Sequence, residues 1–89
     1  MAGDRRFEVR KSISAKAAVE WNGATLQTIR IVAYVADLSP SGARLLLNRP
    51  VPVNTSIRLA VDDQQRSCKV RYCVKLIRGF AIGVSFDPS

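Results

Sequence analysis

The sequence contains no histidine, which removes both the commonest general base and the commonest zinc ligand of proteins. Cysteine is nearly as scarce: Cys68 and Cys73 lie an odd number of positions apart in a strand-like segment. Because side chains alternate between the two faces of a strand, we expect these cysteines on opposite faces, unpaired, with at least one filling the core. These features argue against an enzyme and against a metal centre.

Long apolar segments are absent as well. No stretch approaches the roughly 20 apolar residues that a membrane-spanning helix needs. The N-terminal residues MAGDRRFEVR are charged where a secretory signal peptide would be apolar. We therefore expect a cytoplasmic protein without membrane insertion, and 89 residues are enough for a single domain.

Basic residues outnumber acidic ones by fourteen to seven, giving a formal net charge of +7. Ten of the fourteen are arginine, whose planar guanidinium binds phosphate through two parallel hydrogen bonds and stacks on aromatic rings. This bias favours a phosphate-bearing partner, namely a nucleotide, a nucleic acid or an anionic lipid. A basic surface without a particular partner would give the same composition.

The pattern of apolar residues is that of β-strands almost throughout. Asn22-Gly23 is typical of a tight hairpin, and we expect a bulge near the middle of the second strand. Six strands are predicted, at 16–21, 24–37, 43–47, 56–61, 66–76 and 80–86. Cys68, Val70, Tyr72 and Val74 are expected to share one face of the fifth strand. The sequence thus predicts an all-β, six-stranded antiparallel barrel over 16–89, preceded by a flexible N-terminal arm over 1–15.

Two short polar stretches lie outside this strand pattern. RRFEVR carries Arg6 and Arg10 in the arm, and DLSPSG (37–42) separates the second and third strands. Taken alone, the first is an ordinary charged terminus and the second an Asx-turn that ends in glycine.

Together, Arg6-x-x-x-Arg10 and Asp37-x-Ser39-x-x-Gly42 resemble the paired RxxxR and [D/N]xSxxG motifs of the PilZ domain family. The segment Gly83-Val84-Ser85-Phe86 is similar to the G-V-x-F end of that family's last strand. The resemblance covers nearly the whole chain, although the C-terminal helix of many PilZ domains has no counterpart here. It implies a receptor domain for the bacterial second messenger cyclic di-GMP.

The resemblance also implies the ligand-binding residues, which are Arg5, Arg6, Arg10, Asp37, Ser39 and Gly42. Arginine can engage the N7 and O6 edge of guanine, and an ionised Asp37 can accept hydrogen bonds from N1 and N2. Arg5 resembles the arginine of family members that bind a stacked ligand dimer, so two ligands per domain are expected. Ligand phosphates would order the arm, which would then signal to a partner protein or a neighbouring domain.

Two other functions fit the sequence less well. A PilZ-like protein-interaction module would bind no nucleotide, but such members usually lack the arginine motif. A basic β-barrel that binds nucleic acid would need a row of exposed aromatic residues, whereas the aromatics here are few and scattered. We expect no catalytic residue, no cofactor, no metal and no specific nucleic-acid partner. The remaining strand arginines, including Arg44 and Arg71, are expected on the outside of the barrel, and Trp21, Tyr34 and Tyr72 in core or rim packing.

Overall fold

The structure is a computed structural model that describes residues 11–88, with side chains from Ala15 onward. Arg5, Arg6 and Arg10, and the larger part of the predicted arm, lie outside the described residues. Six strands make up the fold: β1 (Lys11–Asn22), β2 (Thr28–Ser39), β3 (Gly42–Leu47), β4 (Ser56–Val61), β5 (Gln64–Lys75) and β6 (Phe80–Phe86).

These strands close into a barrel in the order β1-β2-β3-β6-β5-β4, and every neighbouring pair is antiparallel. The prediction of an all-β, six-stranded antiparallel barrel is confirmed. Closure gives every strand a neighbour on each side, although β1 and β4 pair only over the three residues from Ala18 to Glu20. Within residues 11–88 there is no helix long and apolar enough to cross a membrane.

The core fills the inside of the barrel. It consists mainly of apolar side chains from alternate residues of the strands, which point inward. The largest side chains that are completely buried include Val19, Val35, Leu45, Ile57, Leu59, Val70 and Ile82. Each contributes about 1.5–3 kcal/mol relative to an exposed position. Val51, from the proline-containing loop after β3, is also fully buried, and Trp21 packs into the same cluster. The core therefore draws on all six strands and one loop.

The first hairpin differs from its prediction in two ways. β1 begins at Lys11 rather than at residue 16, so residues 11–15 belong to the strand and not to an arm. The chain does not turn tightly at Asn22-Gly23, because Asn22 pairs with Thr28 and leaves a loop at 23–27. In that loop Leu26, not glycine, takes the left-handed conformation, with φ of 65°. The Asn-Gly signal was correct about a reversal of the chain and wrong about its length.

Register shifts occur between Ser12 and Ala15 in β1 and at one place each in β2 and β5, and the latter two set which side chains face outward around the site described below. One falls between Val35 and Asp37 in β2, so a bulge in that strand is confirmed, closer to its end than to its middle. The other falls between Val70 and Tyr72 in β5 and was not predicted.

The bulge in β5 exchanges the two faces of the strand after Val70, so Tyr72 and Val74 lie outside, not beside Cys68 and Val70 as predicted. The same change corrects the expectation for the cysteines. Cys68 is buried, and Cys73 also packs against the core, so both are on the inner face. Both are free thiols, as expected.

Candidate functional site at the β2–β3 turn

The DLSPSG segment forms the end of β2, a tight turn and the first residue of β3. Ser39 pairs with Gly42, which leaves Pro40 and Ser41 as the two residues of the turn. Neither has a positive φ, and the fixed φ of proline suits the first of these two positions. The Ser39 hydroxyl donates to the Gly42 carbonyl at 3.3 Å and lies 3.4 Å from the Ser41 hydroxyl. The turn therefore holds a cluster of hydroxyl groups at the end of the barrel.

Gly42 is required by close packing between β3 and β6. A Cβ atom at this position would lie 2.2 Å from the backbone carbonyl oxygen of Val84. Beside this contact the Phe86 amide donates to the Ser41 carbonyl at 2.9 Å. The φ of Gly42 is not positive, so its lack of a side chain, and not its conformational freedom, is what the structure uses.

A cavity of about 310 Å³ opens on the outer surface beside this turn. Among the predicted site residues, it brings together Asp37, Ser39 and Gly42. Its wall continues across β3, β6 and β5 with Ser41, Ala43, Arg44, Arg71, Tyr72, Gly83, Val84 and Ser85. The volume is at the lower end of the range of small-molecule sites. The cavity is open to solvent on one side and is not enclosed.

Two arginines of this cavity were assigned by the sequence only to the general outer surface. Arg44 pairs with Asp37 across β2 and β3, which brings a cation beside the carboxylate of the motif. Arg71 is the extra residue of the β5 bulge, and its Nε donates to the Ser85 hydroxyl at 2.8 Å. A guanidinium carries five N–H donors, so this bond orients Arg71 while leaving most of its donor capacity. The cavity is therefore suited to an anionic ligand.

Tyr72 forms the far wall of the cavity, and its ring lies against Gly83 of β6. A Cβ atom on Gly83 would overlap the ring, at 2.1 Å from its nearest carbon. The glycine in the GVSF segment thus makes room for the aromatic side chain, which remains 43% exposed. A glycine inside a strand indicates either a bulge or a close approach of another group, and this was the available signal for Tyr72. The β5 bulge that turns Tyr72 outward was not visible in the pattern.

A second cavity, of about 450 Å³, adjoins the first at the end of the barrel. Ser39 lines both cavities, and in the second it is joined by Leu38, Arg66 and Phe86. The guanidinium of Arg66 lies over the Phe86 ring, 4.1 Å from its centre. The turn at Ser39 is therefore accessible from two sides.

The register of β1 fixes where the N-terminal segment joins the barrel. Lys11 pairs with Leu38, and Ser12 pairs with Asp37. The chain therefore enters the barrel directly beside the DLSPSG turn. Arg10 is bonded to Lys11, and Arg6 can be no farther from Lys11 than about 17 Å, the reach of five extended residues. Covalent continuity thus limits how far the arginines of the RRFEVR stretch can lie from the DLSPSG turn.

A closed, basic β-barrel with a wide, arginine-lined cavity at one strand turn defines a small ligand-binding domain. The PilZ domain family model matches residues 4–89, and the chain belongs to this family. PilZ domains are binding domains, generally receptors for cyclic di-GMP, and are not typically enzymes. No curated protein matches the sequence.

Proposed function

We propose that this domain binds cyclic di-GMP in the cavity beside the DLSPSG turn, with Arg5, Arg6 and Arg10 completing the site. The pairing of Lys11 with Leu38 is the observation that carries the proposal, because it tethers the arginine segment to the turn. In this proposal the RRFEVR stretch and DLSPSG, which are separate in the sequence, are parts of one binding surface. The ligand has two phosphates and two guanines, and both are groups that arginine recognises.

Each side of the cavity has a distinct role in this proposal. Asp37 accepts hydrogen bonds from N1 and N2 of a guanine, and the Ser39 hydroxyl reaches a base or phosphate oxygen. Arg44 and Arg71 extend the positive charge across the cavity toward the phosphates. Gly42 contributes by keeping β3 and β6 close together, which shapes the wall.

We further propose that two stacked ligands bind and that binding orders the N-terminal segment. In support of a pair, two cavities of about 310 and 450 Å³ meet at Ser39 and together give a larger surface than either does alone. Arg5 would contact the second ligand, and neutralisation of the three arginines by phosphate would favour one arrangement of the segment. The ordered segment would then present a new surface to a partner protein.

Calorimetric titration of the whole chain tests this function. Cyclic di-GMP, GMP and a short single-stranded DNA would be titrated at two salt concentrations. We expect saturable binding of the cyclic dinucleotide alone, with two molecules per domain. Binding of DNA that falls steeply with salt and ignores base identity would identify a nucleic-acid binder instead.

Single substitutions then test the arginines. Arg10→Ala should lower the affinity by about 1–3 kcal/mol, the range of one good two-point arginine contact with guanine. Arg30→Ala is the matched control, because Arg30 is an exposed arginine of β2 outside both cavities. If both variants lost the same affinity, the loss would be explained by the lower net charge and not by a contact that Arg10 makes with the ligand. Arg5→Ala should lower the stoichiometry from two to one, and unchanged stoichiometry would contradict the stacked pair.

A further inference from the structure

A band of apolar side chains crosses the outside of the barrel, on the face where strand alternation would place polar residues. Tyr34 of β2 pairs with Leu46 of β3, Leu46 pairs with Ala81 of β6, and Ala81 pairs with Val74 of β5. Val32 lies two residues before Tyr34 and shares its face. We call Val32, Tyr34, Leu46 and Val74 the outer apolar band. Its members come from β2, β3 and β5, and in β6 the register between Leu46 and Val74 is completed by Ala81, which is small and only 1% exposed.

Three of the four band residues are exposed to solvent, and Leu46 is partly buried between them. Val32 is 62% exposed, Tyr34 50% and Val74 49%. Single exposed apolar residues are common on protein surfaces, but a contiguous row is a feature of binding surfaces. At one end the band is concave, since Val32, Tyr34 and Leu46 line a shallow cavity of about 340 Å³ together with Arg78. A large apolar side chain from a partner would fit this depression as an anchor.

Basic residues surround the band on the described part of the chain. Lys16 pairs with Tyr34, Arg44 lies two residues before Leu46 on the same face, and Arg30 lies two residues before Val32. Arg78 borders the shallow cavity.

Two acidic residues lie near this surface. Glu20, opposite Arg30, makes an ion pair with Arg58 at 3.1 Å. Asp37, opposite Arg44, lines the ligand cavity. The rim of the band is therefore predominantly positive.

The fold limits what can bind there. A partner cannot add a strand at the band, because each of the four strands it crosses is paired with a neighbour on both sides. A second copy would place this basic rim against an identical basic rim, which like-charge repulsion opposes. Three inter-strand spacings make the band about 14 Å across, and a helix with its side chains is about 10–12 Å in diameter.

We propose that the outer apolar band binds an amphipathic helix of a partner protein that carries acidic residues beside its apolar stripe. The apolar stripe would cover Tyr34, Leu46 and Val74, with one large side chain in the shallow cavity. The acidic residues would face the basic rim, where the charge attraction would fix the orientation of the helix and raise its rate of association. The four residues of the band lie outside the two cavities at the DLSPSG turn, and of the rim residues named above only Arg44 also lines one of them, so the proposal does not depend on cyclic di-GMP binding.

The experiment uses the whole chain labelled with ¹⁵N and two synthetic helical peptides of about 18 residues, or roughly five turns. Both peptides carry leucine at i, i+3, i+4 and i+7, and they differ only in flanking glutamate or lysine. We expect the glutamate peptide to shift the amide signals of the band and the lysine peptide to leave them unchanged. The double variant Tyr34→Ser/Val74→Ser should weaken binding ~10-fold or more, the loss typical of removing interface anchors.

Val53→Ser is the matched control, because Val53 is 51% exposed on the loop after β3 and lies outside the band. This variant should bind the glutamate peptide like the native chain. Arg78→Glu provides a second test that reverses one charge of the rim. This variant should bind the glutamate peptide more weakly and the lysine peptide more tightly than the native chain does.

Four results would overturn the proposal. They are equal binding of the two peptides, equal weakening by Val53→Ser, a dimer of the native chain that the double variant abolishes, and binding to phosphatidylserine vesicles that depends on the band. The last two would assign the band to a second copy or to a membrane.

Discussion

Replacing Gly42 by alanine tests how far the β2–β3 turn depends on close packing between strands. The new Cβ would lie 2.2 Å from the Val84 carbonyl oxygen, whereas such contacts in proteins are essentially never under 3.0 Å. The obstacle is backbone, so no side-chain rotation can relieve it. β3 and β6 must therefore separate by about 1 Å next to the turn.

The energetic cost follows from that separation. The hydrogen bond from the Phe86 amide to the Ser41 carbonyl, now 2.9 Å, would lengthen beyond a useful distance. One lost backbone bond costs about 1 kcal/mol, and overpacking of this kind costs about 1–3 kcal/mol. We expect Gly42→Ala to lower the free energy of unfolding by about 2 kcal/mol. In a domain of this size, that loss corresponds to a decrease in Tm of about 8–16 °C.

Urea unfolding followed by Trp21 fluorescence measures this change, since Trp21 is the single tryptophan and is buried. Gly23→Ala is the control: its Cβ would meet only the end of the Ile29 side chain, at 2.9 Å, which can move aside. The control should change stability by less than about 0.5 kcal/mol. A Gly42→Ala variant as stable as the control would refute the packing argument and leave Gly42 to be explained by ligand contact alone.

The cysteines provide two more predictions. Burial, with a smaller contribution from the charge of Asp87, raises the pKa of the Cys68 thiol from 9.0 to about 11. Unfolding therefore releases a proton between pH 9 and 11, so the free energy of unfolding should be unaffected by this group below pH 9 and should fall above it, by at most about 1.4 kcal/mol per pH unit. Cys68→Ala should remove that part of the slope in urea titrations, and an identical slope in both proteins would contradict it. In the folded protein at pH 8, a thiol reagent such as Ellman's should modify the partly exposed Cys73 before Cys68. Loss of the faster phase in Cys73→Ser would confirm the assignment, and loss of it in Cys68→Ser would contradict it.

Strand positions were largely predictable because inward and outward residues alternate. The last strand, 80–86, matches β6 at both ends, and 56–61 matches β4. The predicted barrel followed from six such segments without a helix between them. The sequence pattern was weakest where a strand departs from alternation, as at the bulge residue Arg71, because one additional residue reverses the facing of Tyr72, Cys73 and Val74.

The beginning of β1 was missed for a different reason. Residues 11–15 have few apolar side chains, so their composition is that of an exposed segment. They are in a strand because β2 supplies a hydrogen-bonding partner as far as Leu38. Backbone pairing of this kind depends on the neighbouring strand and leaves little trace in the side chains.

The sequence by itself determined the inward-facing residues of the strands outside the β5 bulge, the order of the strands along the chain and the motifs RRFEVR and DLSPSG. Alternation and short motifs are local properties, so a linear pattern can carry them. Only the tertiary structure decided that Arg44, Arg71 and Tyr72 join Asp37 at one cavity, and that Tyr34, Leu46 and Val74 form one band. Both surfaces bring together residues that are distant along the chain, because strand register and the β5 bulge, and not sequence proximity, place their side chains on the same face.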